Sequence, residues 1–308
     1  MTIPRFASQI AYLIVALSML WGCDRAVTPV GPMPDSRVPV DARQSDLLYV
    51  ADRAGNVNIY SYPKLILQKA IHRLYPAGMC VDAMGNVWVT SPLEQHAILE
   101  YAHGGLTPIA SLEDPGNSPA SCSVDPRTGS LAVVNSGTST ISIYPRSHGT
   151  PTIYSYHNVE FYFCGYDGAG NLYADGLAAH DRSRFLQLRF GGRAFANVAL
   201  DRPPRWPGGI QWDGRYVVAS DQGLHGRNSA LHRFSIEGAR GTTVGIARLR
   251  SSLEVPEFWL DGSNVIGADT GREGGNAVRI WRYPAGGQPH QTLNGFDSPS
   301  AVVISRGR

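Results

Sequence analysis

Charge is scarce in this chain of 308 residues: Asp, Glu, Lys and Arg make up 17%, and 27 basic side chains face 25 acidic ones. The net charge of +2 is scattered along the sequence. No concentrated basic face is available for a phosphate backbone, so nucleic acid is not an expected partner. Long apolar runs are also missing. The stretch from Ile10 to Leu20 is too short to span a bilayer comfortably. The nine histidines show neither His-x-His nor His-x-x-x-His spacing, so no pair is set to share a zinc ion. What the chain does have is 34 glycines, 21 prolines and 43% hydrophobic residues. That balance suits many short strands and tight turns around a sizeable core, and it argues against long helices.

Residues 1–22, with Arg5 as their single charged side chain, read as a targeting segment. Leu20-Trp21-Gly22-Cys23 resembles the bacterial lipoprotein box, in which a small residue precedes a cysteine that is lipidated; Trp21 departs from that pattern. The resemblance implies lipidation at Cys23 and a location at the cell envelope, with membrane contact through the lipid anchor alone. A periplasmic, secreted or uncleaved form is the alternative. Residues 23–45 carry Pro29, Pro32, Pro34 and Pro39 among few large apolar side chains, which describes an extended tether ahead of a folded region at 46–308.

That region repeats. PAGMCVDAMGNVWV starts at Pro76, PASCSVDPRTGSLAV at Pro119, FYFCGYDGAGNLYA at Phe161, PGGIQWDGRYVV at Pro207 and VPEFWLDGSNVIG at Val255. The aspartates Asp82, Asp125, Asp167, Asp213 and Asp261 follow one another at intervals of 43, 42, 46 and 48 residues, the period of a four-stranded propeller blade. Ahead of each aspartate the apolar residues alternate, as in Met79 and Val81 or Cys122 and Val124, which marks a short strand. The aspartate and a glycine such as Gly85 form a turn, and a second strand, a third ending in an aromatic and a weaker fourth follow. Leu48–Pro63 supplies second and third strands with no first, whereas Pro299–Ser305 is a first strand with nothing after it. The expected fold is therefore all-β: a six-bladed β-propeller of four-stranded blades, closed by pairing the C-terminal strand with the N-terminal unit. The wording G-M-x-V-D-x-x-G-N-V-W-V, spread over Asp46–Ser305, resembles NHL-repeat and streptogramin-lyase-like propellers.

Second strands end on Asp52, Ser91, Asn135, Asp221 and Asp269, with Asp175 one place out of register. Such a ring is either a cation site or, as expected here, a set of caps bonding loop amides. Gluconolactonase-like propellers hold a metal at the starts of their inner strands. Those positions are here Ala77, Ala120, Tyr162, Gly208, Pro256 and Ser300, none of them a plausible metal ligand, so no metal or cofactor is expected. The streptogramin-lyase resemblance points to His225 near Asp221, without a second histidine in the neighbouring blade. The loops after the second strands and the linkers between blades carry Glu94, His96, His180, Arg182, Arg205, Trp206, His225, Arg227, Arg272 and Glu273. Of these, Arg182, Arg205, Trp206, His225, Arg227 and Arg272 form a candidate rim for an anionic or sugar-like small molecule, a glycan or a protein. Cys122 and Cys164 share a register on successive inner strands: either they pair, or they pack as small apolar groups with one thiol left unpaired in any case. The expected function is non-enzymatic binding or scaffolding by a monomer at the envelope; a lyase or lactonase acting at the central channel or rim is the alternative.

Overall fold

The computed structural model describes residues 45–93, 97–115, 118–180, 182–223, 228–270 and 276–308. They form six sheets, which we number as blades from the one containing both chain ends. Residues 1–44, which include Cys23, the expected targeting segment and all but the last residue of the expected tether, lie outside the described residues.

Closure occurs where the repeat pattern placed it. Pro299–Ser305 pairs antiparallel with Leu47–Asp52, from Leu47 opposite Ser305 to Asp52 opposite Pro299, and makes the inner strand of blade one. The inner strands of blades two to six are Gly78–Val81, Pro119–Val124, Val159–Tyr166, Ile210–Trp212 and Phe258–Asp261. Each blade has four antiparallel strands, and blade five gains a fifth. The linker residues Ala199–Leu200 run parallel to Arg240 and Gly241 on its outer edge, an addition the sequence pattern did not announce.

Second strands are buried end to end, as in Leu47–Asp52, Val87–Ser91 and Leu131–Asn135, because both faces of a blade pack against neighbouring blades. Alternation along a strand sends successive side chains to opposite neighbours. Leu48 and Val50 join Ile266 and Val278 of blade six, while Leu47 and Tyr49 join Val87 and Val89 of blade two. The apolar interior is thus divided into wedges, one between each pair of successive blades. Outer strands such as Pro108–Glu113 lie largely in solvent, which is why their sequences are the least patterned.

The repeated aspartates build the turns that restart each blade. Asp82 Oδ1 accepts the N–H groups of Met84 and Asn86, both at 2.8 Å, and Gly85 takes the left-handed φ of +85° that closes the turn. Asp167 accepts Ala169 and Asn171 in the same way, at 2.8 and 2.9 Å. Tyrosines at the ends of third strands then lock blades together. The Tyr62 hydroxyl donates to Asp261 at 2.6 Å and the Tyr283 hydroxyl to Asp213 at 2.7 Å, each reaching the preceding blade.

The cysteines pair differently from the two arrangements weighed from the sequence. Cys80 and Cys122 form a disulfide with Cα atoms 5.7 Å apart, and Cys164 is a free, buried thiol. Cys122 and Cys164 cannot meet because they share a register. Both side chains point toward the preceding blade, Cys122 into the wedge between blades two and three and Cys164 into the next one. Cys80, of opposite parity, faces Cys122. The inner strands of blades two and three come this close because position 78 is glycine: a β-carbon on it would collide with the Ala120 carbonyl.

Candidate functional site

The inner strands begin around the propeller axis, and their first residues frame a cavity of about 200 Å³ at the channel mouth. Ala77, Ala120, Tyr162, Pro256 and Ser300 line it, together with Ser121, Arg53 and Glu257. Five of the six positions picked from the lactonase comparison thus do surround the mouth, although none carries a metal ligand. The sixth, Gly208, instead gives its N–H to Asp175.

Glu257 is the residue that sequence reasoning missed. It stands one place after Pro256, where blades one, two, three and five have Ala301, Gly78, Ser121 and Gly209. Blade four has Phe163 there, so Glu257 is the one acid at this position of the repeat, and that was its signal. Its carboxyl is bonded to the Ser121 hydroxyl and the Met79 N–H, so it leaves blade six and reaches blades three and two on the far side of the axis. Burial pushes its pKa up to about 8, against the opposing effect of those two bonds. At neutral pH the carboxyl is therefore largely protonated. Arg53 is the one cation among the lining residues, held by its own N–H on the Asp297 carbonyl at 2.8 Å. Ser136, Thr270 and Ser300 also line the cavity, with the Ser136 and Ser300 hydroxyls donating to the Ser118 and Pro76 carbonyls at 3.2 and 3.3 Å and Thr270 bonded to Ser298 at 2.8 Å.

The second-strand ends fasten the linkers and loops that surround the mouth, the role expected of caps. Ser91 bonds the Leu74 carbonyl. Asp269 Oδ1 accepts Leu253 and Glu254 N–H groups at 2.8 and 3.0 Å, and its other oxygen pairs with Arg279. Asp221 accepts the Arg205 N–H at 3.2 Å, and Asp52 accepts Asn56 and Asn58 of its own hairpin. Asn135 stands beside Ser142 and Asp114. Opposite Asp175 the inner strand has a bulge between Phe161 and Phe163. Its two oxygens take the N–H groups of Phe163 and Gly208 at 3.1 and 3.0 Å, and complete burial raises its pKa well above the carboxylate range.

The proposed rim is only partly described. His225, Arg227 and Arg272, like Glu94, His96 and Glu273, lie outside the described residues. Arg182 opens the third strand of blade four, exposed, with Nε donating to the Ala179 carbonyl at 3.3 Å. Arg205, exposed, and Trp206, half-buried, sit in the linker entering blade five. None of these three is among the residues lining the mouth cavity. Of the seven described histidines, His72, His148, His157, His180 and His290 are exposed. His232 is buried against the Arg202 carbonyl at 3.1 Å, with its pKa lowered by burial, and His103 bridges Ser305 and the Ser45 carbonyl.

No protein-family model and no curated protein matches the sequence. Solved structures do match. A chain of the nidogen–laminin complex aligns at a TM-score of 0.67 and 16% identity, over 85% of this chain and 99% of its own. A Bacteroides caccae protein of unknown function aligns at 0.63 and 13%, over 85% and 100%. A candidate 6-phosphogluconolactonase from Bacteroides fragilis aligns at 0.57 and 13%, over 86% and 99%. At such identities the likeness is one of fold, and the three neighbours carry different descriptions on it. The chain is a six-bladed β-propeller whose inner-strand starts converge on a small cavity with a buried acid in its wall.

Proposed function

We propose that this propeller is a binding protein of the cell envelope that takes a small anionic, hydroxyl-bearing ligand at the channel mouth. The observation that carries the reading is the pairing of Arg53 with a protonated Glu257 in one cavity. With Glu257 neutral below about pH 8, the mouth has an exposed cation and no ionised acid among its lining residues, a charge balance that favours an anion. Binding is favoured over turnover because the buried acids near the axis are already committed. Asp175 is held by two N–H groups, and Glu257 by Ser121 and Met79, so neither is poised as a base beside a nucleophile. The Cys80–Cys122 disulfide supports export to an oxidising compartment, in keeping with the targeting segment at 1–22. The lactonase alternative rests on the fold of one neighbour.

Thermal-shift and calorimetric titration with sugar phosphates, aldonates and dicarboxylates tests this reading. Ligands that stabilise the wild type are expected to lose their effect in Arg53→Ala and Tyr162→Ala. Hits indifferent to both substitutions, or release of acid from aldonolactones at a rate that falls in those variants, would overturn it.

A further inference from the structure

A second cavity, of about 300 Å³, opens between blades four and five and is lined by Asp167, Asn171, Gln187, Arg189, Trp212 and Arg215 among others. We propose that it binds an acidic sugar, a single pyranose ring carrying a carboxylate, independently of the channel mouth.

The donor and acceptor balance selects the anion. Asp167 is the one carboxylate among the lining residues, and its oxygens are occupied. Oδ1 takes the N–H groups of Ala169 and Asn171, and Oδ2 takes Asn171 Nδ2 at 2.8 Å and the Tyr173 hydroxyl at 3.2 Å. Asn171 spends its own oxygen on the Phe190 N–H at 3.0 Å. What the cleft still offers is two guanidinium groups. Arg189 and Arg215 are exposed, and neither forms an ion pair among the described residues. Arg215 lies over the Tyr216 ring at 5.1 Å, a stacking that orients a guanidinium while leaving its in-plane N–H groups for a ligand. A bare anion would use only those groups.

The indole adds the sugar ring. Trp212 is half-buried, and the residue beside its Nε1 is a glycine. A β-carbon on Gly168 would stand 3.1 Å from that nitrogen and cover it. Gly168 has no left-handed φ that would demand glycine for the backbone; its missing side chain lets the chain pack against the indole and hold the ring where it lines the cleft. An aromatic surface beside two guanidinium groups free of ion pairs among the described residues is suited to one ring face plus a charged substituent, and a cavity of this size admits a single residue.

Titration of the full chain with glucuronate, followed by calorimetry and by the ligand-induced change in tryptophan emission that Trp212→Phe should abolish, tests this assignment. Glucuronate is expected to bind at least about tenfold more tightly than glucose and than inorganic sulfate, and Arg189→Ala and Arg215→Ala each to weaken it by about tenfold. Gly168→Ala should weaken binding with the fold retained by circular dichroism, and Lys64→Ala, an exposed cation elsewhere, should not. Absence of glucuronate binding, equal affinity for glucose, sulfate binding as tightly as the uronate, or indifference to both arginine substitutions would each overturn the proposal. A mouth that proves to bind nothing leaves these outcomes unaffected, since Arg53 and Glu257 belong to the other cavity.

Discussion

Glu257→Gln isolates the cost of keeping an acid in the wall of the channel. An unfolded glutamate titrates near its ordinary value of 4.5, and the buried carboxyl near 8. Below both values the group is protonated in either state and costs nothing. Between them the folded protein holds a proton that the unfolded chain has released, so stability falls as pH rises through that window. Above about pH 8 the loss is complete, on the order of 5 kcal/mol for a shift of this size. Glutamine keeps an oxygen for the Met79 N–H and a nitrogen for the Ser121 hydroxyl, without the titration. The variant should match the wild type near pH 5 and exceed it progressively toward pH 9. At about 2 °C per kcal/mol for a domain of this length, the melting temperatures should separate by roughly 10 °C. Subtracting the two curves removes the contribution of Asp175, which is common to both. Scanning calorimetry at half-unit pH steps reads the difference directly. A difference that stays constant from pH 5 to pH 9 would refute a raised Glu257 pKa and, with it, the neutral acid at the mouth.

The parts of the fold that were legible in the sequence are those that repeat. A turn aspartate such as Asp82 and the alternation before it recur because every blade must restart near the axis and pack on two neighbours. The unmatched halves at Leu48–Pro63 and Pro299–Ser305 then fixed closure. Departures from the repeat were harder to read. Glu257 was overlooked because attention fell on the adjacent position, Pro256, and because its significance depends on Ser121 and Met79 across the axis, contacts that no local pattern encodes. The cysteines illustrate the same limit in one dimension. Sharing a register looked like an argument for pairing Cys122 with Cys164, yet in a ring of blades it means that both side chains point the same way round. The rim arginines were chosen for their place on loops, and a loop position does not say which cavity a side chain lines.

Three further expectations concern the frame around these sites. Reducing the Cys80–Cys122 disulfide, which closes a loop of 42 residues, should lower stability by about 4 kcal/mol on the chain-entropy account; denaturant melts unchanged by reductant would argue against the bridge. Cys23→Ser should release the protein from membranes if the lipoprotein box is used, and unaltered fractionation together with a wild-type mass lacking lipid would count against it. Deleting Pro299–Arg308 should unfold or aggregate the protein, whereas removing Gly307 and Arg308 should cost little. Val302, Val303 and Ile304 are 2%, 1% and 1% exposed, and full burial of each contributes about 1.5 to 3 kcal/mol. Their sum alone reaches the 5 to 15 kcal/mol by which domains are typically stable. The deletion also strips the hydrogen-bonded partner from Leu47–Asp52 and opens the wedges toward blades two and six together. A ten-residue deletion that melts cooperatively within a few degrees of the full chain would mean that the ring does not depend on this strand to close.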